Sequence, residues 1–298
     1  MSRTALHHIS GRLAPPDPAT LCDDIRDAAG LLFPGRDPGP LDRAAEDVIR
    51  LHRGEYPGWR ASATPYHDLE HTLTVTLACV RILHGIHLER KPLAPENLDA
   101  GLLAALFHDA GYIQAEDDTE GTGAKYTPIH VQRSVDFMRS YMKEHGLPEN
   151  LVEDAASAVL CTDLSLRPAD LPFSSDRARL VGCALGSADI LAQMADEAYL
   201  DKLPRLYQEF REAGTPYRSE YELLRDTSAF HQAMRKRLAG ELDNVAPLAR
   251  AHFRERWDLD QDLYALAVDR NIKDLQEILG ENGNGSGAGA GPASGNGA

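Results

Sequence analysis

Three short stretches carry the residue types that bind divalent metals. In Tyr66-His67-Asp68-Leu69-Glu70-His71 two imidazoles stand four residues apart, so on a helix both project from one face. In Leu102-Leu103-Ala104-Ala105-Leu106-Phe107-His108-Asp109 an apolar run ends abruptly in adjacent His and Asp, before Gly111, which can terminate a helix. A carboxylate beside an imidazole at a buried helix end needs compensation for lost hydration, and a divalent cation is the simplest compensator. In Val181-Gly182-Cys183-Ala184-Leu185-Gly186-Ser187-Ala188-Asp189, one Asp interrupts a small and apolar run. Taken singly, each stretch has a plainer reading. The histidines could be surface or hydrogen-bonded core residues, His108-Asp109 a polar helix end, and Asp189 a structural carboxylate. Together they place ligands on separate helices in the order H…HD…D.

The elements that must position these groups read as helices. The pattern predicts helices near 67–87, 97–109, 128–145, 149–161, 176–198, 199–212, 218–240 and 246–279, with two more between Thr20 and Arg53 split by the GRDPGP turn. Pro65 puts His67 and His71 at a helix start. The segment 110–127, rich in Gly, Asp and Thr, reads as a long loop bordering a site. Residues 1–18 suit a flexible lead-in, 19–279 a single helical domain with its metal-site core at about 60–200, and 280–298 a disordered Gly/Ala/Asn-rich tail with no hydrophobic period. The helices after Tyr199 read chiefly as core packing, with a pocket cap or an interface as the alternatives.

Composition sets the outer bounds. With 298 residues, 43% of them hydrophobic, the chain can bury a sizeable core, and the scarcity of hairpin signals favours an all-α fold. A formal charge of −15, from 31 basic and 46 acidic residues, disfavours bulk nucleic acid and anionic membranes but leaves open a small anionic substrate met by a metal. Cys22, Cys79, Cys161 and Cys183 have no CxxC spacing and read as reduced core thiols. No signal peptide or membrane span is visible, so a cytoplasmic location is expected. His7, His8, His84, His87, His145, His231 and His252 read as ordinary surface or boundary residues. Amphipathic helices leave a homodimer open.

The ordered H…HD…D pattern resembles the HD-domain metal-dependent phosphohydrolases, and most of all the catalytic core of the cyclic nucleotide phosphodiesterases, over about 60–200. Tyr66-His67-x-x-x-His71 is similar to that family's YHNxxH motif, with Asp68 in place of Asn, and Cys161-Thr162-Asp163-Leu164-Ser165 looks like its ATDMS segment. The resemblance implies an HD-domain helical bundle with extra flanking helices. It implies that His71, His108, Asp109 and Asp189 bind a first metal, that Asp109 bridges to a second, and that His67 protonates the leaving oxygen. It places His130 near the second metal and Thr162 and Asp163 in the pocket. Where the family's HDxxH has a further His, this chain has Tyr112, which weakens the second metal.

Imidazoles and carboxylates without thiolates suit one or two borderline to hard ions: Mn, Mg, Zn, Fe or Co. The chemistry expected is hydrolysis of a phosphoester of a small nucleotide-like substrate by metal-activated water, with His67, one helical turn from His71, as general acid and Asp109 at the metal. The rivals are an HD-type diiron oxygenase, which usually needs more imidazoles, and a catalytically silent nucleotide-sensing HD protein. Lys125 and Arg133 are cations that could meet a phosphate, although charges near a loop are more often solvated.

Overall fold

The computed structural model describes residue 13 and residues 17–285, with side chains to residue 280. Among these residues it is all-α: eleven α-helices and four short 3-10 turns, with no strand. The chain runs through α1 (Pro18–Leu32), α2 (Gly39–His52), α3 (Leu69–Glu89), α4 (Pro95–Phe107), α5 (His130–Glu144), α6 (Glu149–Leu160) and α7 (Asp176–Met194), then α8 (Tyr199–Glu212), α9 (Glu220–Ala239), α10 (Ala249–Trp257) and α11 (Leu263–Gly285).

Buried hydrophobic packing decides which helix is central. In α3 nearly every residue from Thr72 to Ile86 is buried, so the helix is covered on all sides rather than along one stripe. α7 and α1 pack against it, joined by α10 and α4, while α4 carries α6 on its other side. Helix starts follow local chemistry. Asp17, Asp68, Ser175 and Ser219 each accept a backbone N–H from the first turn of the helix that follows. α7 approaches the end of α6 so closely that a Cβ on Gly186 would lie 2.6 Å from the Cys161 carbonyl oxygen. Only glycine admits that contact.

The observed boundaries depart from the sequence pattern in instructive places. Helix α3 begins at Leu69, so Asp68 is its N-cap and His67 precedes the helix. Its Asp68 side chain accepts from His71 N at 2.9 Å, which explains why an acid stands there. Helix α5 begins at His130 rather than 128, α7 ends at Met194, and the stretch 246–279 divides into a 3-10 turn and two helices. The division falls where Asp258 takes a left-handed φ of 54°. The lead-in is tied down sooner than expected: Leu13 is buried and its carbonyl accepts the Arg81 guanidinium at 2.9 Å. At the other end α11 runs through residues 280–285 of the expected tail, and the rest of that tail, like His7 and His8, lies outside the described residues. The four cysteines are unbridged, and all but Cys22 are buried. No helix among the described residues is long and apolar enough to cross a membrane.

Candidate metal centre

The three stretches meet. From the first turn of α3, His71 directs Nε2 to 3.5 Å from Asp109 Oδ2 and 3.3 Å from Asp189 Oδ1. From the end of α4, His108 Nε2 lies 3.3 Å from Asp109 Oδ2 and 3.7 Å from Asp189 Oδ1. Asp189 comes from the middle of α7, and its carboxylate is partly open to a cavity rather than sealed in the core.

These donors fit a metal ion. His71, His108 and Asp109 offer ligand atoms within 4.8 Å of one another. Three of those atoms, His71 Nε2, His108 Nε2 and Asp109 Oδ2, are buried without a hydrogen-bond partner. Buried polar atoms are nearly always satisfied, so convergent donors of this kind suit a cation as their shared partner. The ring of His108 is oriented for the task, because its Nδ1 donates to the Ala105 carbonyl at 2.8 Å and leaves Nε2 facing the cluster. Burial disfavours charge on Asp189 and Asp109, yet the neighbouring imidazoles hold both carboxyls well below their ordinary range.

His130 joins from the start of α5. It sits with Nε2 3.9 Å from Asp109 Oδ1, and its Nδ1 donates to the Thr127 carbonyl at 2.7 Å. The packing of α5 against the His108-Asp109 turn depends on Gly111. This glycine does not end α4, which stops at Phe107 before it. It lies inside a 3-10 turn, where a Cβ would be 2.0 Å from the His130 carbonyl oxygen. Tyr112, where the resembling family has an imidazole, stacks against both His67 (centroids 4.5 Å apart) and His130 (4.4 Å), whose own rings are 6.3 Å apart. Thr162 and Asp163, from the loop after α6, also line the cavity.

His67 is held by a residue that periodicity did not single out. Glu209 of α8, 142 positions away, receives Nδ1–H of His67 at 2.5 Å. It also accepts the backbone N–H groups of Tyr66 at 2.7 Å and His67 at 3.1 Å. Burial opposes charge on His67, but Glu209, with Asp109 and Asp189 behind it, raises its pKa to about 9. One turn on, Glu212 accepts from Thr122 N and Lys125 N, so one face of α8 pins both the His67 segment and the 110–127 loop. The only hint in the sequence was an acidic helix after Tyr199.

Two expectations change, and one open possibility closes. His67 does not share a helix with His71, although their rings remain 5.6 Å apart. Neither of the two cations is turned to the cluster: Lys125 pairs with Asp118, and Arg133, in the first turn of α5, donates to the carbonyls of Gly111 and Ile113 and lies over the Tyr126 ring. His84, His231 and His252 are core residues, His84 and His252 facing each other Nδ1 to Nδ1 at 3.0 Å and His231 bonded to the Tyr199 hydroxyl. His52 is buried beside the cluster at 3.4 Å from the Thr72 hydroxyl, and burial pushes its pKa down to about 4.

Residues 58–120 and 115–236 match the model of the Npun_R2479-like family. The chain belongs to the Npun_R2479-like family. No curated protein matches it. The matched stretch contains every residue of the cluster together with His67, His130, Thr162, Asp163 and Glu209, so the region shared with the family carries the whole candidate site.

Proposed function

We propose that this chain is a metal-dependent phosphohydrolase of the HD-domain type, acting on a phosphoester of a small nucleotide-like molecule. The observation that carries the reading is the convergence of orphaned His71, His108 and Asp109 atoms, with Asp189 alongside, at the floor of a cavity rimmed by a carboxylate-held histidine. A divalent cation held by His71, His108, Asp109 and Asp189 would neutralise phosphoryl charge and lower the pKa of a water beside it. The chain's own residues supply the rest. His67, kept protonated by Glu209, is placed to hand a proton to the departing oxygen, and the Nδ1 bond of Glu209 fixes the ring while that happens. His130, with Nε2 toward Asp109, orients the attacking water or completes a second, weaker cation site. Tyr112, itself buried, packs against both rings and shields them from solvent on its side.

The test is phosphorus NMR of cyclic and linear nucleotides incubated with Mn-reconstituted protein, beside Asp109→Ala prepared identically. A new monoester or free phosphate signal that disappears in the variant supports the reading. Metal bound in stoichiometric amount with no turnover rejects it and favours oxygen chemistry or ligand sensing at the same cluster.

A further inference from the structure

The cavity above the cluster is larger than the proposed chemistry requires. It encloses about 640 Å³, within the range of sites that hold a whole small molecule. Much of its wall is apolar: Leu203, Leu206 and Phe210 of α8 and Leu223, Phe230 and Met234 of α9 line it, with Asp226 and Thr227 among the polar exceptions. At its surroundings Ile129 and Leu164 are more than half exposed, large apolar side chains open to solvent beside the cavity they line.

His67, held at the metal end by Glu209, is the positively charged side chain of the lining. The lining carboxylates are Asp109, Asp163, Asp189 and Asp226, and among the described residues no Lys or Arg lines it. Neighbouring cations are engaged elsewhere. Lys202 pairs with Glu70 and Asp196, and Arg237 donates to the carbonyls of Cys161, Asp163, Leu164 and Leu166. Recognition of phosphate without a metal draws on Arg or Lys. A cation at the cluster can compensate one phosphoryl group next to Asp109 and Asp189. A further phosphate would lose water against Asp163, Asp226 and the apolar wall, and Arg225, the guanidinium beside Asp226, is already engaged by that carboxylate at 3.1 Å and by Glu222 at 3.9 Å.

We infer that the substrate carries a single phosphoester group on an apolar body, and that molecules with a second phosphate at the far end, nucleoside di- and triphosphates included, are excluded. This deepens the phosphohydrolase reading and rests on it for the reaction. In that reaction a water oxygen bonds to phosphorus, the bond from phosphorus to the leaving oxygen breaks, and the leaving oxygen takes up a proton. A p-nitrophenyl alkyl phosphate plus water thus gives the alkyl phosphate and p-nitrophenol.

Binding and turnover are tested separately. Calorimetric titration of the Mn-loaded full chain with methyl, butyl and hexyl phosphate is expected to show affinity rising about fourfold per methylene as the chain leaves water. Hexane-1,6-diol bisphosphate, the same chain with a second phosphate, is expected to lose at least tenfold against hexyl phosphate. Asp226→Lys should recover much of that loss, read as the ratio of bisphosphate to hexyl phosphate affinity in the same variant. Leu206→Asn should weaken hexyl phosphate by tenfold or more and leave methyl phosphate as it was. Affinity independent of chain length, equal affinity for the bisphosphate, or no binding of any phosphate overturns the inference. Release of p-nitrophenol from the methyl and hexyl diesters is measured on the same preparation. Chain-length-dependent binding without release sustains the ligand assignment and overturns the phosphohydrolase reading.

Discussion

Glu209 Oε2 stands 2.5 Å from Nδ1 of His67, and the other oxygen of the same carboxylate accepts the backbone N–H groups of Tyr66 and His67. A single buried acid therefore sets the position, tautomer and charge of the histidine on the rim. Glu209→Gln keeps the shape and removes the charge. Turnover is expected to fall at least about tenfold while metal stoichiometry stays at the wild-type value. Glu209→Ala leaves His67 without its partner and is expected to destabilise the fold by about 3–5 kcal/mol, measured by urea denaturation. Loss of metal in Glu209→Gln would contradict the separation of the two roles.

Metal binding should register as stability. A cluster assembled from separate helices can hold an ion only when folded, so Mn at about 100 times its Kd is expected to add about 2.7 kcal/mol, read as a rise of several degrees in Tm. His108→Ala removes a fully buried ligand and should abolish both the rise and the stoichiometric metal seen by elemental analysis. A metal-induced rise that survives this substitution would place the ion elsewhere.

Arg237 anchors the loop bearing Thr162 and Asp163. Its guanidinium gathers the carbonyls of Cys161, Asp163, Leu164 and Leu166 and pairs with Glu241 at 2.6 Å. Arg237→Met strands those acceptors and is expected to lower stability by about 3 kcal/mol. Metal content should be unchanged and KM should rise, because the loop lines the cavity without touching the metal donors.

Gly111 is where α5 rests on the His108-Asp109 turn. Gly111→Ala puts a methyl group 2.0 Å from the His130 carbonyl oxygen, so backbone must shift. The expected result is a loss of about 1–3 kcal/mol and a larger fall in turnover than in metal affinity, since His130 moves while His71 and Asp189 keep their places.

Three core histidines make stability depend on pH. Burial lowers the pKa of His84 and His231 to about 4 and that of His252 to about 2, from an ordinary 6.5. Unfolding therefore takes up protons in acid. The stability these residues confer is complete above pH 6.5 and falls as pH drops toward 4, by about 1.4 kcal/mol per pH unit for each histidine. His231→Gln should reduce the slope of stability against pH between 6 and 4.5 by about that amount. An unchanged slope would show that His231 is already charged in the fold.

The candidate cluster was legible in the sequence because its residues break local patterns. His71 and His67 are spaced by four, His108-Asp109 ends an apolar run, and Asp189 interrupts another. The all-α class was legible for the same reason, since helical period and capping residues act over a few positions. The N-cap role of Asp68 was not read, and it moved His67 off the helix while keeping its ring near His71. Glu209, Arg237 and His52 were invisible because their meaning lies in partners up to 142 positions away, and nothing local marks a helical Glu as buried. The burial of His84, His231 and His252 had the same cause. The apolar wall of the cavity likewise arises only where α8 folds against α9 over the cluster. Short-range periodicity determines which groups can act; the long-range packing of α7, α8 and α9 decides which of them meet and what they are left facing.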